Sequence, residues 1–173
     1  MLNSERNKRE MVVRVGQPAP DFALSDEKGE TWHLSERRRK VVALLFYPRD
    51  ETLVCTRQLC SVRDHWADYL ETGAEVVGIS PGTAESHREF ARNHSLPLPL
   101  LADTDGEVTK TYTAHRWMPD WATRAIVVVS AEGIVRSRKI MLRAFRPSDK
   151  TVIAAILLAR YDALVNESKS RPR

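Results

Sequence analysis

Val41-Val42-Ala43-Leu44-Leu45-Phe46-Tyr47 and Glu75-Val76-Val77-Gly78-Ile79-Ser80, with what lies between them, decide the fold. Each is a short apolar run rich in β-branched residues, the mark of a strand buried on both faces. Between them apolar residues recur at Leu59, Val62, Trp66, Tyr69 and Leu70, three or four apart, and the pattern closes at Gly73. That spacing predicts an amphipathic helix. Strand, helix and strand in this order make a right-handed crossover, which leaves the two strands parallel. A second helix is predicted over Thr83–His94, with Ala84, His87, Phe90 and Ala91 on one face, stopping ahead of Pro97 and Pro99. Ala125–Ser130 reads as a third buried strand. The turn Ala131-Glu132-Gly133 and the alternating stretch Ile134–Leu142 then predict an antiparallel hairpin. Thr31–Leu34 adds an outer strand. Pro147-Ser148-Asp149 opens a last helix whose Val152, Ile153, Ile156, Leu157, Tyr161 and Leu164 make a wide apolar face. The fold class is α/β, a central mixed sheet flanked by helices.

At 173 residues the chain amounts to about one domain, large enough to bury roughly 70% of its surface without metal or disulfide staples. A composition 42% hydrophobic and 29% charged excludes collagen-like, low-complexity and disordered classes. The apolar pattern defines one domain over residues 12–165, with residues 1–11 and 166–173 read as flexible basic tails. The longest apolar runs, Val41–Tyr47 and Val152–Ala159, fall short of the roughly 20 residues a bilayer span requires. The opening MLNSERNKRE offers no secretory h-region, so the expected location is cytoplasmic and no membrane partner is expected. Of the net charge of +4, Met1–Glu10 carries +1, Glu36–Lys40 +3 and Val165–Arg173 +2, leaving the remainder at −2. An excess confined to two tails and one loop is not the single basic face of a nucleic-acid binder, and none is expected as a partner. His33, His65, His87, His94 and His115 show no metal-ligand spacing with either cysteine. Trp32 and Trp66 read as packing residues, whereas Trp117-Met118-Pro119-Asp120-Trp121 forms a loop beside Arg124.

The segment Phe46-Tyr47-Pro48-Arg49-Asp50-Glu51-Thr52-Leu53-Val54-Cys55-Thr56-Arg57-Gln58-Leu59-Cys60 carries the chemistry. It lies where a buried strand ends and a helix begins, the place where α/β sheets build sites. Unpaired amide groups in a helix first turn favour an anion, so a cysteine there is held as the reactive thiolate. Cys55 and Cys60 are the only cysteines, too few for a secreted disulfide framework or a four-thiolate zinc site. Thr52 also suits an N-cap, and Pro48 a strand terminator.

Pro48, Thr52 and Cys55, in the spacing P-x-x-x-T-x-x-C, resemble the active-site motif of the peroxiredoxins, the AhpC/TSA family. The resemblance extends through Val15-Gly16-Gln17-Pro18-Ala19-Pro20-Asp21-Phe22, Phe46-Tyr47-Pro48, Val77-Gly78-Ile79-Ser80, Glu85-Ser86-His87 with Phe90, Leu100-Leu101-Ala102-Asp103 and Asp105-Gly106. It covers about Val12–Ala159 and implies a thioredoxin-like fold. A second cysteine five positions after the first is similar to the bacterioferritin-comigratory, or PrxQ-like, branch. The resemblance implies a thiol peroxidase acting on hydrogen peroxide or organic hydroperoxides, with Cys55 peroxidatic and Cys60 resolving. In it Thr52 orients the peroxide, Arg124 stabilises the thiolate and polarises the peroxide, and Pro48 shields the sulfur. It further implies an intramolecular disulfide, recycling by thioredoxin or a similar dithiol, no haem, flavin or metal cofactor, and a monomer or homodimer.

Residues five apart in an intact helix have Cα atoms about 8.7 Å apart, by rise and rotation, whereas a disulfide seldom tolerates more than about 7 Å. If both cysteines share a helix, at least one turn must unwind before they join. The chain departs from the branch at Leu53-Val54, where Pro-Gly is usual, at Gln58, where glutamate is usual, and at Val128-Val129-Ser130-Ala131, where a Leu-Ile-Asp ending is usual. A redox-sensing protein that forms the same disulfide without sustained turnover is the rival reading. A disulfide reductase is disfavoured because four residues, not two, separate the cysteines.

Overall fold

The computed structural model describes residues 12–114 and 123–170. Seven strands form one mixed sheet: β1 (Ala23–Asp26), β2 (Thr31–His33), β3 (Val42–Phe46), β4 (Glu75–Ser80), β5 (Leu100–Ala102), β6 (Thr123–Val129) and β7 (Val135–Leu142), in the order β2-β1-β5-β4-β3-β6-β7. The helices are α1 (Leu53–Asp64), α2 (Trp66–Glu71), α3 (Ala84–His94), α4 (Glu107–Thr113) and α5 (Asp149–Ser170). β3 and β4 pair in parallel, as the crossover requires, with Val42 opposite Glu75 and Phe46 opposite Ile79. β6 runs antiparallel to both β3 and β7.

The pleat of β3 divides the core into two layers. Ala43, Leu45 and Tyr47 face Cys55, Leu59 and Val62 of α1, Tyr69 of α2, Phe90 of α3, and Val152, Ile156 and Ala159 of α5. Val42, Leu44 and Phe46 face the opposite layer, with Tyr112 of α4, Phe22 and Trp32. The last two rings stack at 5.6 Å. Trp32 also donates its indole N–H to Glu75 at 2.7 Å, which ties the outer hairpin to β4. Among the described residues no helix is long and apolar enough to cross a membrane.

Four expectations are corrected. The single helix read between β3 and β4 is broken at His65 (φ −107°, ψ 20°), whose Nδ1 lies 2.9 Å from the Ser61 carbonyl oxygen. Beyond the break Tyr69 is buried but Leu70 is exposed. In α5, Leu157, Tyr161 and Leu164 are exposed rather than part of the core face, which is formed by Val152, Ile156 and Ala159. The helix is apolar on nearly every side, so period alone does not say which side meets the sheet. It also continues past Val165 to Ser170. The structure adds β1, β5 and α4, which the pattern did not reveal. α4 is seven residues long, and four of them (Val108, Thr109, Thr111, Thr113) are β-branched, which disfavours helix. The buried Asp103 carboxylate anchors its start, accepting the N–H groups of Val108 (3.2 Å) and Thr109 (2.6 Å).

Candidate active site

β3 ends at Phe46 and α1 begins at Leu53, so the segment between them lies at the carboxyl edge of a parallel strand. Cys55 is the third residue of α1, in the turn whose N–H groups lack intrahelical acceptors. It is 1% exposed. The first turn of α1 contains no acidic residue. Arg124 enters from β6, which pairs with β3 through Ala125 opposite Phe46. Its guanidinium is wholly buried, and Nη2 donates to Cys55 Sγ at 3.2 Å and to the Arg143 carbonyl at 3.2 Å. Nη1 donates to Gln58 Oε1. A rigid cation therefore sits against the sulfur, within hydrogen-bond reach of it.

Thr52 occupies the N-cap position in extended conformation (φ −80°, ψ 149°), but its side chain does not cap the helix. The Thr52 hydroxyl donates instead to the Arg49 carbonyl at 3.3 Å. This corrects the capping expectation and leaves the hydroxyl oxygen able to accept a hydrogen bond from a bound molecule. Pro48 is half-buried and directly follows Tyr47, the last residue of the buried run. Cys60 lies on α1 with Cys55; both are free thiols, one buried and the other half-buried. Of the loop read beside Arg124, Trp117–Trp121 falls outside the described residues.

Sequence reasoning missed a buried network behind the loop. Asp50 accepts from Tyr47 Oη (2.8 Å), Ser86 Oγ (2.6 Å) and His87 Nδ1 (2.6 Å). Burial works to raise the Asp50 carboxyl, but the hydrogen bonds from His87 and Ser86, with that from Tyr47, outweigh it and hold it below the usual carboxylate range. Burial, and then the neighbouring Asp50 charge, push the Tyr47 phenol well above its ordinary range. Glu51 is drawn to the same helix by His94 Nε2 (2.8 Å) and Asn93 Nδ2 (3.2 Å). The hydrogen bond to His94 holds its carboxyl low. The signal was present in Tyr47, Asp50 and the Ser86-His87 pair, but nothing in the spacing links α3 to a loop some 36 residues earlier.

Comparison with known proteins places these residues in a family. The sequence model of the AhpC/TSA family matches residues 15–138. The chain belongs to the AhpC/TSA family. It is 39% identical over 102 residues to the putative peroxiredoxin bcp of Coxiella burnetii, covering 59% of this chain and 68% of that one. It is 45% identical over 100 residues to the chloroplastic peroxiredoxin Q of Triticum aestivum, covering 58% of this chain and 46% of that protein. It thus spans about half the length of several plant relatives it matches. The crystal structure of peroxidoxin BcpB from Mycobacterium tuberculosis superposes with a TM-score of 0.67 at 25% identity, covering 92% of this chain and 99% of that one. The α/β architecture is accordingly the thioredoxin-like fold of this AhpC/TSA chain, and the Gln58 departure lies at the Arg124 guanidinium.

Proposed function

We propose that this chain is a thiol-dependent peroxidase. The observation that carries the reading is the buried Arg124 guanidinium 3.2 Å from Cys55 Sγ, at the start of a helix in an AhpC/TSA chain. The Cys55 thiolate attacks one oxygen of hydrogen peroxide or an organic hydroperoxide, and its electron pair forms the S–O bond as the O–O bond breaks. The leaving oxygen departs as hydroxide or alkoxide and takes up a proton, while the sulfur becomes a sulfenic acid. Arg124 offsets negative charge on sulfur before attack and on the leaving oxygen during it. Thr52 accepts a hydrogen bond from the peroxide O–H and so orients the O–O bond, and Pro48 limits water at the sulfur.

Cys60 then attacks the Cys55 sulfur, releasing water and forming an intramolecular disulfide. Two electrons from thioredoxin or a similar dithiol restore both thiols by exchange. Because both cysteines lie on α1, resolution requires the first turns of that helix to unwind. Residues 12–165 act as one catalytic unit, a monomer or homodimer in the cytoplasm; the names of the matched plant relatives describe those proteins as chloroplastic. The test is hydrogen peroxide consumption coupled to thioredoxin, thioredoxin reductase and NADPH. Sustained turnover that vanishes in Cys55→Ser, and loses thioredoxin coupling in Cys60→Ser, is the expected result. A single oxidation without turnover, with thioredoxin and with glutaredoxin alike, contradicts it.

A further inference from the structure

The charges around Cys55 are arranged unevenly. Both carboxylates of the preceding loop are committed to α3, Asp50 to His87 and Ser86, and Glu51 to His94 and Asn93. On the other side, Arg124 is fully buried and, among the described residues, donates to three acceptors: Gln58 Oε1, the Arg143 carbonyl and Cys55 Sγ. Among the described residues no carboxylate forms an ion pair with Arg124. Two of the acceptors are neutral, so the sulfur is the one that can carry charge. A buried guanidinium without an anion is unfavourable, and that imbalance is relieved when Cys55 ionises.

We propose that Gln58 is a positioning residue that holds Arg124 through a neutral amide oxygen, leaving the Cys55 thiolate as its anionic partner. Gln58 is itself 3% exposed, so its amide is fixed by the surroundings rather than by solvent. A carboxylate of the same shape would share the guanidinium charge and compete with the thiolate for it. The other titratable neighbours do not supply that competition. Tyr47, directly after β3, stays protonated at neutral pH, and the Asp50 charge is spread over three donors. Cys60 lies further along α1, and Arg143, at its carbonyl, offers Arg124 a dipole rather than a charge. The inference rests on Cys55 being the reacting thiol of the proposed peroxidase.

The test is made in a Cys60→Ser background, so that Cys55 is the sole thiol, by following its ultraviolet thiolate absorbance as a function of pH with and without Gln58→Glu. The midpoint is expected to move up by about one pH unit, and, in the protein that retains Cys60, kcat/KM for hydrogen peroxide below that midpoint to fall about tenfold. An unmoved or lowered midpoint overturns the proposal. Gln58→Met, which stays neutral but removes the acceptor, keeps the midpoint and lowers kcat/KM through a loosened Arg124. Should Gln58→Glu fail to fold by circular dichroism, this variant decides, and an unchanged kcat/KM overturns the proposal. The thiolate titration consumes no peroxide. A shifted midpoint in a protein that fails to reduce peroxide therefore supports this inference while contradicting the peroxidase reading.

Discussion

Arg124 is the residue whose removal separates packing from chemistry. Its guanidinium lies within hydrogen-bond reach of the sulfur, so Arg124→Met keeps most of the volume and removes the charge. The expected outcome is a fall in kcat/KM for hydrogen peroxide of about 10²- to 10³-fold, the usual cost of losing one aimed donor, measured by stopped-flow oxidation. Asp50 tests a different link, from buried hydrogen bonds to stability. Asp50→Ala leaves Tyr47, Ser86 and His87 without their shared acceptor, and about 3 kcal/mol of stability is expected to be lost in urea denaturation. The places of Cys55 and Thr52 were legible in the sequence because a contiguous motif sits at a strand boundary, and that of Arg124 because the family resemblance expects an arginine directly before the Ala125 strand. Asp50 and His87 were not, because a polar pair joined across a fold leaves no periodic trace.

At the scale of elements, α1 is both the platform for the thiolate and the obstacle to resolution. Hydrogen exchange on peptides from residues 53–64 is expected to accelerate on oxidation of the wild type, but not of Cys60→Ser. Unchanged exchange with a formed disulfide would contradict the unwinding step. The approach of the β4–α3 turn to the Asp50 network gives a second test. A Cβ on Gly82 would lie 2.7 Å from His87 Cε1 and 3.3 Å from Asp50 Oδ2, so Gly82→Ala is expected to cost about 1–3 kcal/mol. The parallel β3–β4 pair and the β6–β7 hairpin were readable because buried β-branched runs and a glycine turn have few alternatives. α5 was read only in part. Ile156 is fully buried and Leu158 is 65% exposed, so Ile156→Ala is expected to cost about 2–4 kcal/mol and Leu158→Ala within about 0.5 kcal/mol.

For the molecule as a whole, the Asp50 carboxyl links pH to stability. Its folded value is held below the unfolded one, so its contribution is fully present above the unfolded value near pH 3.9. That contribution is lost as pH falls through the lower folded value. Urea midpoints are therefore expected to drop steeply below about pH 4 in the wild type and less steeply in Asp50→Ala. The central claim is that Cys55 takes the peroxide oxygen and Cys60 removes it. Intact mass after one equivalent of hydrogen peroxide tests that most directly. The account predicts loss of two hydrogens in the wild type, one added oxygen in Cys60→Ser and no change in Cys55→Ser. An unchanged wild type, or a Cys55→Ser protein that gains oxygen, would contradict it.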